Sequence, residues 1–356
     1  MKNILMFLIM FIPFKIFAIS SSAYIVMDKD SGRVLEGSNI DKQYLIASTT
    51  KIITAITAIN YGNLDDVVTI NNDILEAYGS GIYVNVGEKL LLDDLLYGLM
   101  LRSGNDAALA IASHVGGSVD NFVFLMNEEK NYIGMKNSTF INPSGLEDKN
   151  GNGNMSTVYD MALLMRYAMK DDDFRRITGT KEIIVKSDIK TYKWINKNKL
   201  LHSYEYCTGG KTGYTKKAKR TLVTTASKDG MNLIVVTFND GNDFSDHEKL
   251  YEKYFNSYEV KKVIDKNKVY KDNTKVIDDF NIVVNDKDDV KIKIDYDGSN
   301  DSLNGSIVGK VKVLLNGEEI GFRYLYYDKE EYVKKSFVKR LLELLNIWLI
   351  LYGLFW

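Results

Sequence analysis

The spacing of apolar residues changes several times along the chain, and each change marks an element. An apolar stretch at Ala23–Asp28 runs into the turn formers Asp30, Ser31 and Gly32 and then Arg33, Val34 and Leu35, which predicts a hairpin. Ile52, Ala55, Ile56 and Ile59 recur at helical spacing, so a helix with one apolar face starts near Ser48. Residues 91–101 and 106–114 read as two more helices, the second capped by Asn105 or Asp106 and stopped by Gly116 and Gly117. Arg102, Ser103 and Gly104 form the loop between them. An Asn- and Gly-rich loop over 142–154 precedes helical spacing over 156–169. Past Leu200 the pattern turns to strands over 210–215, 221–226 and 232–238, with a turn at Asp229 and Gly230. Helices grouped before consecutive strands, with an N-terminal hairpin to join them, predict an α+β fold: an antiparallel sheet covered by helices.

Near Tyr258 the pattern shifts again. Val290 to Ile294 and Lys310 to Val313 alternate apolar and basic residues, and Asn316-Gly317 supplies a hairpin turn, which predicts a small all-β domain with one solvated face. Lys334, Lys335, Lys339 and Arg340 then precede residues 341–356, where Leu341, Leu344, Leu345, Trp348, Tyr352 and Phe355 share one helical face. A sixteen-residue helix reaches about 24 Å, short of a ~30 Å hydrocarbon core, so an amphipathic helix lying in the membrane interface is expected. At the other end, Lys2 and Asn3 precede an apolar run over 4–12 and small residues around Ala18, Ile19 and Ser20, the pattern of an export signal. The expected division is therefore a signal over 1–20, a catalytic domain over 21–258, a β domain over 259–328 and an anchoring helix over 329–356, which places the protein at the outer face of the cytoplasmic membrane.

Composition narrows the chemistry by exclusion. The 356 residues carry 46 basic and 47 acidic side chains, interleaved along the chain, so no nucleic-acid footprint is present. A lone Cys207 cannot form an intrachain disulfide, and an exported fold must then stand on its core. The three histidines, His114, His202 and His247, lie far apart and match no metal-ligand pattern, so neither a metal nor a cofactor is expected.

Ser48 and Lys51, three residues apart on a helix, would share a face with Cβ atoms about 5 to 6 Å apart. The pairing alone is not specific, since Ser187 with Lys190 and Ser336 with Lys339 repeat it. Ser48 differs because it opens an apolar helix and is followed by Ser103-Gly104-Asn105 and by Lys211-Thr212-Gly213. In this order the chain resembles the penicillin-recognising serine enzymes, whose motifs are SxxK, SxN and KTG. SGN in place of SDN, the phrase Asn142-Pro143-Ser144-Gly145-Leu146, the approach Asn198-Lys199-Leu200-Leu201 and the strand Lys211 to Thr215 resemble D-alanyl-D-alanine carboxypeptidases in particular.

The resemblance implies a transpeptidase/β-lactamase-like catalytic domain and a set of roles. Ser48 would be the nucleophile and Lys51 its base, kept neutral in a partly desolvated cleft by the nearby charge of Lys211. Ser103 would protonate the leaving D-alanine and Asn105 would hold the substrate backbone. Backbone N–H groups of Ser48 and Tyr214 would form the oxyanion hole, Thr212 and Lys211 would bind the terminal carboxylate, and Gly213 completes the strand. The implied partners are peptidoglycan stem peptides ending in D-Ala-D-Ala, β-lactams as covalent inhibitors, and the membrane surface. Such enzymes usually carry His where Ser144 stands and Arg where Asp243 aligns, and Lys197 is the candidate to supply the missing charge. A class A β-lactamase would need a deacylating glutamate in an ExxLN stretch, which the chain lacks. A D,D-endopeptidase shares every motif, and a non-catalytic envelope-binding module is the alternative outside the enzymes.

Overall fold

The computed structural model describes residues 19–298 and 303–328 together with Leu341. The export-signal expectation, up to Ala18, and the anchoring-helix expectation, apart from Leu341, lie outside the described residues. The N-terminal hairpin pairs β1 (Ala23–Asp28) with β2 (Val34–Ser38). Its turn is held by the Asp28 carboxylate, which accepts the backbone N–H of Ser31 at 3.1 Å, and by Gly32 at φ +81°.

Three strands, β3 (Cys207–Thr215), β4 (Lys219–Lys228) and β5 (Met231–Phe238), follow one another as antiparallel neighbours. β1 then pairs antiparallel with β5, from Ala23 opposite Phe238 to Asp28 opposite Leu233, giving the order β2-β1-β5-β4-β3. The hairpin thus occupies one side of the sheet and leaves β3 as the opposite edge. Both faces are covered, which is why β5 reads as a nearly continuous apolar run and the buried middle of β4, Thr221 to Ala226, shows no polar–apolar alternation. On one face Ile25, Met27, Val223, Ile234 and Val236 pack against helices; on the other Val26, Leu222, Leu233 and Val235 pack against Leu250, Tyr251 and Tyr254.

The first face receives six helices: α1 (Lys51–Tyr61), α2 (Leu92–Arg102), α3 (Asn105–Gly116), α4 (Val119–Ile133), α5 (Val158–Ala168) and α6 (Asp172–Gly179). The second receives α7 (Asp243–Phe255). α1 runs through the middle of the helical layer, and every residue from Lys51 to Ala58 is buried. Two of these helices were not expected from the sequence. α4 buries only Phe122, Met126 and Glu129, too narrow a stripe to stand out, and α6 has just eight residues. The expected cap of α3 is also corrected: Asn105 lies inside the helix, and neither it nor Asp106 is the capping residue, a place held by Gly104.

From Glu259 the chain forms a two-stranded ladder, Glu259–Ile264 with Phe280–Val284, and a four-stranded antiparallel sheet that includes Val290–Tyr296, Ile307–Leu315 and Glu318–Tyr327. Asn316 and Gly317, at φ 53° and 90°, make the tight turn between the last two. Arg33 of the N-terminal hairpin reaches across to this part, donating to both carboxylate oxygens of Asp288 at 2.7 and 2.9 Å and to the Val283 carbonyl at 2.8 Å. Among the described residues no single helix is long and apolar enough to cross a membrane.

Candidate active site

Ser48 sits in a single 3-10 turn, Ala47–Thr50, that feeds directly into α1. Ala47 adopts a left-handed φ of 48°, a conformation that costs a non-glycine residue about 1 kcal/mol or more and turns the serine out of the helix line. The turn is fixed from two sides. Thr221 on β4 donates its hydroxyl to the Ile46 carbonyl at 3.0 Å, and the buried Asn154 donates to the Thr50 hydroxyl at 2.9 Å. No helix-capping hydrogen bond is made by a side chain in this segment, so the ordinary use of a serine at a helix start does not apply to Ser48.

One turn along, Lys51 is fully buried, and its ammonium group stands 3.3 Å from Ser48 Oγ. It also donates to Asn105 Oδ1 at 2.7 Å and to the Ser144 carbonyl at 2.5 Å. Burial is the main cause that pushes the Lys51 pKa down to about 7, with the positive charge of Lys197 adding to it and Asp106 opposing it. Lys197 thus joins Lys211, the expected neighbour, among the amines around Lys51, and Lys51 and Lys211 disfavour each other's charged form. Lys211 is itself driven well below the usual lysine range by burial and then by Lys51 and Lys197. Three amines crowded into one desolvated region cannot all hold a proton at neutral pH, so the Lys51–Lys211 pair has a neutral amine available to it.

Ser103 ends α2 in a left-handed conformation, φ 63°, and the chain re-enters a helix at Asn105. This sharp turn lets both side chains of the SGN motif face the same place. Asn105 donates its amide to the Tyr78 carbonyl at 2.6 Å while its oxygen takes Lys51, so its orientation is fixed at both ends. Asp106 points the other way and accepts backbone N–H groups of Ile82 and Tyr83, which ties the loop before β-residues 89–91 to α3.

Lys211 projects from β3 toward the helices and donates to Ser103 Oγ at 3.0 Å and to the Thr212 carbonyl at 2.7 Å. Gly213 is the point of closest approach. A Cβ there would meet Thr221 Oγ1 at 2.3 Å and the backbone nitrogens of Ser48 and Thr49 at 3.0 Å, so only glycine lets the strand lie against the serine turn. Ser48, Ser103, Thr212, Gly213 and Tyr214 line one cleft of about 300 Å³, joined by Ser80, Lys197, Lys199, Arg220, Asp243 and Phe244.

All eight residues singled out in the sequence therefore converge. Lys51 and Asn105 meet beneath Ser48, while Lys211 meets Ser103. Arg220 and Ser80 were missed, for neither belongs to a motif, and only the pairing of β4 with β3 brings Arg220 to the cleft. A larger cavity of about 470 Å³ lies near α7, lined by Ile19, Glu36, Glu248, Glu252 and Lys253 among others, and has no such grouping. Among the described residues no cluster of His, Cys, Asp or Glu could hold a metal ion. Cys207 is half-buried with its thiol pushed up to about 11, mainly by burial, which leaves it protonated and a poor nucleophile.

Comparison with known proteins gives the same answer independently of the geometry. The D-alanyl-D-alanine carboxypeptidase DacF of Bacillus subtilis is 34% identical over 220 residues, which cover 60% of this chain and 56% of that protein. The chain thus matches little more than half the length of that relative. The D-alanyl-D-alanine carboxypeptidase DacA of Haemophilus influenzae is 29% identical over 336 residues, 85% of this chain and 83% of the relative. Among solved structures, penicillin binding protein 5 of H. influenzae superposes with a TM-score of 0.73 at 27% identity, covering 87% of this chain and 97% of that one. The family model described as D-alanyl-D-alanine carboxypeptidase matches residues 12–242, and with Ser48, Lys51, Ser103, Asn105 and Lys211 converging inside that span, the chain belongs to this family.

Proposed function

We propose that the protein is a serine D-Ala-D-Ala carboxypeptidase that removes the terminal D-alanine from peptidoglycan stem pentapeptides, and that β-lactams acylate the same serine. The observation that carries this reading is the 3.3 Å approach of a fully buried lysine amine to a hydroxyl that faces an open cleft. An unactivated serine is a weak nucleophile, and a neutral amine at that distance is the base it needs.

In the reaction Ser48 Oγ attacks the carbonyl carbon of the penultimate D-alanine while its proton passes to Lys51 Nζ. The developing oxyanion is held by the backbone N–H groups of Ser48 and Tyr214, the latter on an edge strand that Gly213 lets close in; such donors are worth roughly 3 to 4 kcal/mol each. Collapse breaks the peptide bond, and the departing amine takes a proton from the Ser103 hydroxyl, which lies 3.0 Å from Lys211 Nζ and is reprotonated through the lysine pair. Water then attacks the ester and restores Ser48. Asn105, fixed by Lys51 and the Tyr78 carbonyl, orients Lys51 and presents the substrate backbone to it. A β-lactam enters by the same attack but keeps its amine tethered after ring opening, so its acyl-enzyme persists.

Export and attachment to the outer face of the cytoplasmic membrane belong to the same proposal. They are supported by the apolar run near the N-terminus and the basic-then-amphipathic pattern over 334–356. Ser48→Ala is expected to abolish both D-alanine release from a pentapeptide and labelling by a fluorescent penicillin, read by mass spectrometry of the labelled peptide. A label that survives the substitution places the nucleophile elsewhere. Release from crosslinked dimers in preference to free pentapeptide would mark an endopeptidase instead.

A further inference from the structure

Arg220, which no motif marks, stands in the wall of the cleft. It faces Tyr214 directly across the β3–β4 ladder, and Thr212 faces Leu222 two residues further on. Opposed residues of an antiparallel pair share a face, and so do alternate residues of one strand, so Thr212, Tyr214 and Arg220 project on the same side within a side chain's reach. All three line the cleft with Ser48.

The guanidinium is held rigidly. Asp243, at the start of α7 and only 3% exposed, accepts from Nε at 3.0 Å and from Nη2 at 2.6 Å, and the ring of Phe244 lies 5.4 Å from the guanidinium carbon. This clamp uses one edge of the fork. Nη1 has no hydrogen-bond partner among the described residues, and the side chain is 43% exposed. Of the lysines about the cleft, Lys211 is engaged with Ser103 and the Thr212 carbonyl and Lys197 with Ser80 Oγ at 3.1 Å, while Lys199 lines the cleft as an exposed amine on a flexible stem. A fixed, always-charged fork with a free edge fits a planar carboxylate better than any of these amines does.

We propose that Arg220, clamped by Asp243 and Phe244, binds the free terminal carboxylate of the substrate together with Thr212, and thereby makes the cleft select an unblocked carboxy terminus. This rests on the peptidase reading above and assigns to the strand beside β3 the charge that the sequence reading sought in Lys211, with Lys197 as the candidate for the one missing at Asp243. Asp243 gives the proposal a second consequence. Without Arg220 its carboxylate stands uncompensated at the mouth of the cleft and repels the substrate's own, so loss of the arginine removes an attraction and exposes a repulsion.

The test compares one pentapeptide ending in D-Ala-D-Ala as its free acid and as its C-terminal amide. Wild type is expected to favour the acid. In Arg220→Met, kcat/KM for the acid falls roughly 10- to 100-fold, the loss of a charge-assisted hydrogen bond, chiefly through KM, and the acid-to-amide ratio moves toward one. Adding Asp243→Asn to Arg220→Met recovers part of that loss, while Arg220→Lys keeps the charge without the fork and falls between. Thermal melts of each variant separate binding from folding. Equal losses on acid and amide, or an acid rate that does not change, overturn the assignment. If wild type releases neither D-alanine from the acid nor D-alaninamide from the amide, the peptidase reading fails, and the second-order rate of labelling by a penicillin, which bears its own carboxylate, then tests Arg220 alone: the same loss supports it and an unchanged rate overturns it.

Discussion

At the scale of single residues, the site works by taking amines out of water. Lys51 is wholly buried with its pKa brought down to about 7, so the neutral form that can accept the Ser48 proton grows as pH rises through that value. Acylation, measured as kcat/KM or as the second-order rate of penicillin labelling, is therefore expected to rise from pH 6 to pH 8 along a limb set by Lys51. Lys197 contributes to the depression by its charge, so Lys197→Met lets the Lys51 pKa climb and shifts that limb to higher pH, while the plateau at alkaline pH stays close to wild type. A limb that does not move would show that burial alone sets the base. Ser48, Lys51, Ser103, Asn105, Lys211, Thr212 and Gly213 could be singled out in the sequence because they stand in its three motifs, and Tyr214 because it follows the last of them. Arg220 was not, because its role depends on which strand lies beside β3.

Elements decide how closely those residues approach. β3 is the sheet edge, and Gly213 lets it rest against the serine turn with backbone nitrogens 3.0 Å from where a Cβ would be. Gly213→Ala must push the strand away from Ser48 N, which displaces the oxyanion donors more than it disturbs the core. Penicillin acylation is expected to fall by roughly 100-fold or more, the scale of a lost oxyanion donor, with far-ultraviolet circular dichroism unchanged. The helices show the same division of labour. Residues 91–101 and 106–114 were predicted to within one or two residues at each end, yet the cap of α3 was misread because Asn105 spends its side chain on Lys51 and Tyr78 instead of on the helix. A local rule for helix starts was overridden by the site, as happens where function competes with local preference.

At the scale of the whole molecule, Arg33 joins the N-terminal hairpin to the β-rich part. Its pair with Asp288 is little exposed, 16% and 5% for the two side chains, and Asp288 is held below the usual carboxylate range against the cost of its burial by hydrogen bonds, that from Arg33 foremost. Arg33→Ala leaves Asp288 and the Val283 carbonyl without this partner and is expected to cost about 1 to 3 kcal/mol in chemical denaturation, with faster proteolysis between residues 256 and 260. Because the folded pKa of Asp288 is lowered, its contribution is present above the unfolded value near 4 and fades as pH falls through the lowered one. A chain ending at Glu330 is expected to leave the membrane fraction and keep full activity toward penicillin; a truncated chain that still pellets with membranes would refute the anchoring proposal.

Apolar spacing by itself set the α+β class and most of the order of helices and strands, and the proposed nucleophile and base, one of three Ser-Lys pairs at this spacing, were marked by the SGN and KTG motifs that follow them in order. Tertiary structure decided the rest. How deeply Lys51 is buried and which amines surround it, why residue 213 has to be glycine and which arginine reaches the cleft all depend on distances between segments far apart in the chain, and those distances exist only once β3 has paired with β4 and packed against the turn before α1.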